Sequence, residues 1–246
     1  MDQIKKSPLE RLLLKDKIVL GVTLGTLTLW SWYYLLSMGM MISSDFMALF
    51  IMWAVMMVGM MVPSATPAIL LYANIYRQQT STASPLQAAL FFLGGYLLAW
   101  TGFSVVAAYL QTVLTEQDII SQMMAGRDPY FNAGLLIFAG LYQLSDFKRQ
   151  CLDKCQSPMV YIQQHWRPGL MGLTYMGLRH GLYCTGCCWM LMILLFVFGV
   201  MNLWVVLLLT LYVLLEKIMP PSYHLDKITA FGLIAYSGWI LFGGAA

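Results

Sequence analysis

Residues 46–76 read FMALFIMWAVMMVGMMVPSATPAILLYANIY and contain no aspartate, glutamate, lysine or arginine. An apolar run of this length exceeds the roughly 20 residues that an α-helix needs to cross the hydrocarbon core of a bilayer. Comparable runs lie on both sides of it, at residues 18–41 and 85–114. The 246-residue chain is 60% hydrophobic and 10% charged, whereas a soluble domain has about 25% charged residues. We therefore predict an all-α, polytopic helical membrane protein, and we exclude a cytosolic enzyme and a secreted disulfide scaffold.

Seven transmembrane helices account for the apolar runs. Single spans are predicted at residues 18–41, 46–76, 85–114, 130–144 and 228–242. The long run at 169–219 must hold two more, divided at the polar break near residues 200–202. Six spans are the alternative, if that long run divides differently. The predicted organisation is an N-terminal segment at 1–17, followed by a single transmembrane domain at 18–246 with a cysteine-containing loop at 146–168.

Lysine and arginine set the orientation of these spans. When the N-terminus is placed in the cytoplasm, only Arg127 of the 14 basic residues falls on the outer side. Cytoplasmic loops of membrane proteins carry an excess of lysine and arginine. We therefore predict a cytoplasmic segment 1–17 and a cytoplasmic loop 146–168. The basic residues form no patch interleaved with aromatic side chains, which argues against a nucleic-acid partner.

All five cysteines fall in one stretch of the chain, at the predicted cytoplasmic face. They are Cys151, Cys155, Cys184, Cys187 and Cys188. The first two are spaced i, i+4, and the last three allow i, i+3 and i, i+4 pairs, so each group shares one side of a helix. Cytoplasmic thiols are normally reduced, and thiolates are ligands for copper(I), zinc or an iron–sulfur cluster. The cysteines therefore predict a soft-metal site, which His180, one helical turn before Cys184, could complete.

Two other interpretations of the cysteines stay open. A buried cysteine often acts only as a small hydrophobic residue, and a CxxC element such as Cys184–Cys187 can exchange disulfides. Clustering of five thiols with two helical spacings favours metal or redox chemistry over simple packing, and thiol–disulfide exchange stays the competitor of the metal site.

Methionine is unusually frequent, with 19 residues, and it recurs along the second predicted span. Met52, Met56 and Met60 form one helical stripe, and Met57 and Met61 form an adjacent one. Thioethers bind copper(I) weakly, so the stripes predict a relay from the outer surface toward the cytoplasmic thiols. Methionine also fills irregular cores, and packing is an equally weighted explanation. No charged residue or histidine lies near the middle of a predicted span, which disfavours a proton-coupled transporter.

Several motifs together resemble a known group of proteins. They are Trp53 with Met56-Met57, Cys151-Leu-Asp-Lys-Cys155, Cys184-Thr-Gly-Cys187-Cys188-Trp189 and Glu216-Lys217. Over roughly residues 46–217 the chain resembles a bacterial family of predicted metal-binding integral membrane proteins, a domain of unknown function. The resemblance implies a multi-pass, metal-associated protein of the bacterial inner membrane, and it implies no reaction.

The prediction is an integral membrane protein that binds, delivers or transports copper(I), with zinc or an iron–sulfur cluster as other possible occupants of the thiol site. One alternative is a structural or assembly subunit of a larger membrane complex, and another is a membrane thiol redox protein. No residue is assigned a catalytic role, and an enzyme is not favoured. The expected partners are the lipid bilayer and a copper enzyme, a metallochaperone or a larger membrane complex.

Overall fold

The computed structural model describes residues 8–38, 45–79, 84–120, 126, 128–157, 159, 166–219 and 223–242, with side chains from residue 17 onward. These residues are helical apart from turns, short connections and one isolated β-bridge between Ile120 and Gly126. The helices are α1 (Pro8–Met38), α2 (Phe46–Gln79), α3 (Pro85–Glu116), α4 (Pro129–Gln143), α5 (Asp146–Gln156), α6 (Leu170–Ile193), α7 (Leu195–Phe198), α8 (Leu203–Ile218) and α9 (Leu225–Leu241). The predicted all-α fold is confirmed.

Among the described residues, four stretches of helix are long and apolar enough to cross a membrane: Lys17–Ser37, Phe46–Gln78, Pro85–Glu116 and Leu170–Phe198. The helices at the other predicted spans are shorter. α4 has 15 residues, α8 has 16 and α9 has 17, which at 1.5 Å per residue gives roughly 22–26 Å of helix. Between α7 and α8 the helix breaks at Gly199, which has a φ of +94°, close to the predicted division.

The prolines of α2 do not end that helix. α2 runs through Pro63 and Pro67 without a break. Proline has no backbone N–H, so the carbonyl of Gly59, one turn before Pro63, loses its usual helical donor. The indole Nε1 of Trp32 in α1 donates to that carbonyl at 3.3 Å. A neighbouring helix therefore supplies the donor that Pro63 lacks. α6 is also continuous.

α3 and α6 pack so closely that two glycines are needed between them. A Cβ atom on Gly95 would lie 1.9 Å from the carbonyl oxygen of Thr174, and one on Gly177 would lie 2.0 Å from that of Phe92. Small residues allow such backbone contact between membrane helices. At Gly94 and Gly102, by contrast, no atom of another helix among the described residues lies within 4 Å of the corresponding position.

The segment predicted as a cytoplasmic loop is helical over its first half. Ser145 caps α5 by accepting a hydrogen bond from the Lys148 backbone N–H at 3.2 Å. Asp146 lies in the first turn and Lys154 in the last, where each charge is favourable for the helix dipole. α5 packs on α6 and on α8. α2 contacts α1, α3 and α8, while α4 pairs with α9. Both cysteine-bearing helices, α5 and α6, pack against α8.

Candidate metal centre

Three thiols of α6 form the centre of the candidate site. The sulfur atoms of Cys184, Cys187 and Cys188 all lie within 4.8 Å of one another, and each residue is at most 1% exposed. Helical spacing brings them to one side of α6, as the sequence predicts. Cys187 and Cys188 donate their thiol hydrogens to the carbonyl of Cys184, at 3.0 and 2.8 Å. The three sulfurs thus lie around a single helical turn.

α5 brings the other two cysteines against this turn. Cys155 lies close enough to Cys187 for that thiol to raise the pKa of Cys155. The sulfur of Cys151 lies 2.9 Å from the position that a Cβ atom on Gly186 would take, so only glycine leaves room for it. Cys151 and Cys155 are each 8% exposed. The two cysteine-bearing segments therefore meet, with the α5 thiols outside the tight three-sulfur group.

A buried polar network holds α5 in this position. Lys148 donates to Gln143 and to the carboxylate of Glu216 in α8. The side-chain amide of Gln156 donates to the carbonyls of Glu216 and Met219, at 2.7 and 3.2 Å. Both ends of α5 are thus bonded to the end of α8, which the sequence does not show.

The two α5 thiols are held in their protonated form. Burial raises the pKa of Cys151, and the nearby Cys187 sulfur adds to this effect, while the ammonium of Lys154 opposes it. The pKa of Cys155 is raised well above its usual value, first by its hydrogen bond with Cys187 and then by burial. A metal ion that binds these sulfurs must therefore displace protons.

Cys184 has polar neighbours that sequence reasoning missed. Lys217 of α8 donates from Nζ to the Cys184 sulfur at 2.9 Å and to Oγ of Ser64 at 2.9 Å. The hydroxyl of Tyr96 lies 3.1 Å from the same sulfur and donates to the carbonyl of Met61 at 3.3 Å. These contacts join α2, α3, α6 and α8. The Glu216-Lys217 motif was the available signal in the sequence.

The depth of the cluster differs from the sequence prediction. The sequence places Cys184 at the predicted cytoplasmic face, but α6 begins at Leu170, so Cys184 lies about four turns, or roughly 21 Å, along the helix. Lys217, which contacts it, is next to the last residue of α8. The thiols are therefore in the middle of α6 but level with one end of α8.

The other predicted ligands lie around the cluster. The ring of His180 packs against the rings of Phe92 and Tyr96, with centroid distances of 5.8 and 6.0 Å, and it is outside the three-sulfur group. The five predicted relay residues of α2 are all buried. They are Met52, Met56, Met57, Met60 and Met61. Burial rules out a purely lipid-facing role, and the Tyr96 hydroxyl links the Met61 backbone to Cys184.

The donor set suits a soft cation. Thiolates prefer copper(I) or zinc and do not suit magnesium or calcium. The fold and the site define an all-helical protein, with helices long and apolar enough to cross a membrane, that holds a buried thiol cluster. The chain belongs to the PpoB2 family, whose model matches residues 50–240 and is described as a copper chaperone. This confirms the resemblance to a metal-binding family. No curated protein and no solved structure matches the chain.

Proposed function

We propose that this protein is a membrane-bound copper(I) chaperone that holds the ion in the thiol cluster of α6 and exchanges it through the thiols of α5. The observation that carries the proposal is the placement of Cys184, Cys187 and Cys188, whose sulfurs lie within 4.8 Å of one another in a buried setting. Two or three thiolates at such mutual distances need little rearrangement to bind one copper(I) ion. Membership of a family described as copper chaperones supports the same cargo.

The proposed setting is the bacterial inner membrane, with seven spans formed by α1, α2, α3, α4, α6 together with α7, α8 and α9. A helix is present at each of the seven apolar runs. The excess of lysine and arginine on one side supports a cytoplasmic N-terminus. In this topology α5 lies at the cytoplasmic surface, and α2, α3 and α6 extend beyond the bilayer on that side.

The buried methionines of α2 are proposed as a weaker set of ligands that leads to the thiols. The stripe ends at Met61, whose carbonyl accepts the Tyr96 hydroxyl that also contacts Cys184. Thioethers carry no charge, so they can be buried without the cost of an anion. A copper enzyme or a soluble metallochaperone is the proposed partner for transfer.

Copper binding is tested on the full chain, purified in detergent and loaded with copper(I) under reducing conditions. We expect about one copper per chain with sulfur ligands in the X-ray absorption spectrum, as a thiolate site requires. Cys187→Ser should lose most of the bound copper. Thr185→Val is the matched control, because Thr185 lies in the same helical turn and its hydroxyl bonds only to the carbonyl of Gly181. A wild-type protein without sulfur-bound copper would contradict the proposal.

Thiol redox exchange is a second candidate, favoured by the contact between Cys155 and Cys187 across two helices. It predicts that Cys155→Ser traps a mixed disulfide with a partner protein in cells. If copper binds and no such adduct forms, the result supports the chaperone function and contradicts the redox function.

A further inference from the structure

The ammonium group of Lys217 lies in direct contact with the thiol cluster. Its Nζ lies 2.9 Å from the Cys184 sulfur and 2.9 Å from the Ser64 hydroxyl. The ion pairs found among the described residues join Lys148 to Glu216 and Arg149 to Asp146, and none involves Lys217. The neighbouring carboxylate of Glu216 is instead occupied by Lys148 and by the Tyr212 hydroxyl. The Cys184 sulfur is therefore the group that can balance the positive charge of Lys217.

A buried charge is costly unless an opposite charge lies nearby. For any given number of thiolates, a complex with copper(I) is one charge unit more negative than the same complex with zinc(II). Two thiolates with copper(I) carry a charge of −1, whereas two thiolates with zinc(II) are neutral. A fixed cation beside the sulfur therefore stabilises the copper(I) complex more than the zinc(II) complex.

We propose that Lys217 is a specificity-determining residue of the thiol cluster, whose charge favours a monovalent over a divalent soft cation. This inference rests on the proposed function, because it requires that the cluster bind metal. Lys217 is not a ligand in this role. It neutralises the excess negative charge that remains after two thiolates bind copper(I), and Ser64 holds its ammonium group in place.

Two substitutions separate the charge of Lys217 from its hydrogen bond. Lys217→Gln keeps a donor but removes the charge, and Lys217→Arg keeps the charge. Lys227→Gln is the matched control, because it changes the net charge by the same amount as Lys217→Gln. Lys227 lines a cavity between α5, α8 and α9. Lys217→Met, which keeps the length of the side chain, provides a second neutral variant if the glutamine variant does not fold.

The experiment measures copper(I) and zinc(II) affinities of the full detergent-purified chain by competition with chromophoric chelators. For Lys217→Gln we expect copper(I) affinity to fall at least about tenfold, as loss of a neighbouring charge in a partly buried site implies. Zinc(II) affinity should stay the same or rise, so the ratio of the two affinities falls at least tenfold. The arginine variant and the Lys227 control should keep the wild-type ratio.

An equal loss of both affinities, or an unchanged ratio in the neutral variants, would overturn the role of Lys217 while leaving copper binding intact. A wild-type chain that binds neither ion through sulfur would overturn the proposed function itself, together with this inference. Retention of zinc(II) binding in the neutral variants shows that the thiol cluster is still formed, so a change in ratio cannot be assigned to unfolding.

Discussion

Lys148 of α5 donates a hydrogen bond to the buried carboxylate of Glu216 near the end of α8. The two side chains are 2% and 4% exposed, so this ion pair connects the cysteine-bearing helix to the helical bundle away from water. Tyr212 also donates to the Glu216 carboxylate, at 3.0 Å. The position of Cys151 and Cys155 beside α6 depends on this connection.

Removal of Lys148 should destabilise the protein strongly. Lys148→Met leaves the Glu216 carboxylate buried without its counter-ion, which typically costs about 3–5 kcal/mol. The double variant Lys148→Met/Glu216→Gln should recover part of that loss. Arg149→Met is the control. Arg149 is exposed and forms a 4.0 Å ion pair with Asp146, and an exposed pair contributes at most about 1 kcal/mol to stability. The free energy of unfolding in detergent is measured for the wild type, Lys148→Met, Glu216→Gln, the double variant and the Arg149→Met control. Additive losses in the double variant would show that the pair is not coupled.

Gly95 should tolerate no side chain, whereas its neighbour should. Gly95→Ala brings a methyl group to 1.9 Å from the Thr174 carbonyl oxygen, which forces α3 and α6 apart and should cost about 1–3 kcal/mol or more. Gly94→Ala meets nothing within 4 Å and should be neutral or stabilising by up to about 1 kcal/mol through helix propensity. Thermal unfolding of the two variants checks the difference. Equal stability would contradict the close helix contact.

The hydrogen bond from Trp32 to Gly59 should matter only while Pro63 is present. Trp32→Phe leaves the Gly59 carbonyl without a donor and should cost about 1 kcal/mol beyond the lost packing. In a Pro63→Ala background, the new backbone N–H can bond to the same carbonyl, so Trp32→Phe should cost correspondingly less. A double-mutant cycle on the free energy of unfolding measures this coupling. A coupling energy of zero would mean that the indole does not replace the missing donor.

Alkylation of the α5 thiols should require unusually high pH. Thiolates are the reactive form, and the pKa values of Cys151 and Cys155 are raised above the usual range. In metal-free protein, iodoacetamide should therefore label both residues slowly near neutral pH. The pH midpoint of the labelling rate should lie above the ordinary cysteine pKa of about 8.5. The same residues in denatured protein provide the reference, and mass spectrometry of the peptides separates the two sites. A midpoint at or below that of the denatured chain would contradict the raised pKa values.

Much of the helical layout was predictable from sequence, because a bilayer-length apolar run has few alternatives to a helix. The grouping of the cysteines was also predictable, because i, i+3 and i, i+4 spacing alone places them on one side of a helix. The contact of Lys217 with Cys184 was not predictable in this way. It joins residues 33 positions apart, and its formation depends on how α8 packs. The segment of α5 was predicted as a loop, although the spacing of its two cysteines suits a helix, because it is polar and its bonds to α8 through Lys148 and Gln156 cannot be read from the sequence.

Helix α5 also determines how the inner sulfurs can be reached. Cys184, Cys187 and Cys188 are almost fully buried, with Cys155 of α5 against Cys187, and only Leu144 and Ser145 join α5 to α4. Groups buried in this way exchange with their surroundings only when a local segment opens. If the cluster holds an ion as proposed, the dwell time of that ion would depend on how often α5 separates from its neighbours, and not on the strength of the metal–sulfur bonds alone.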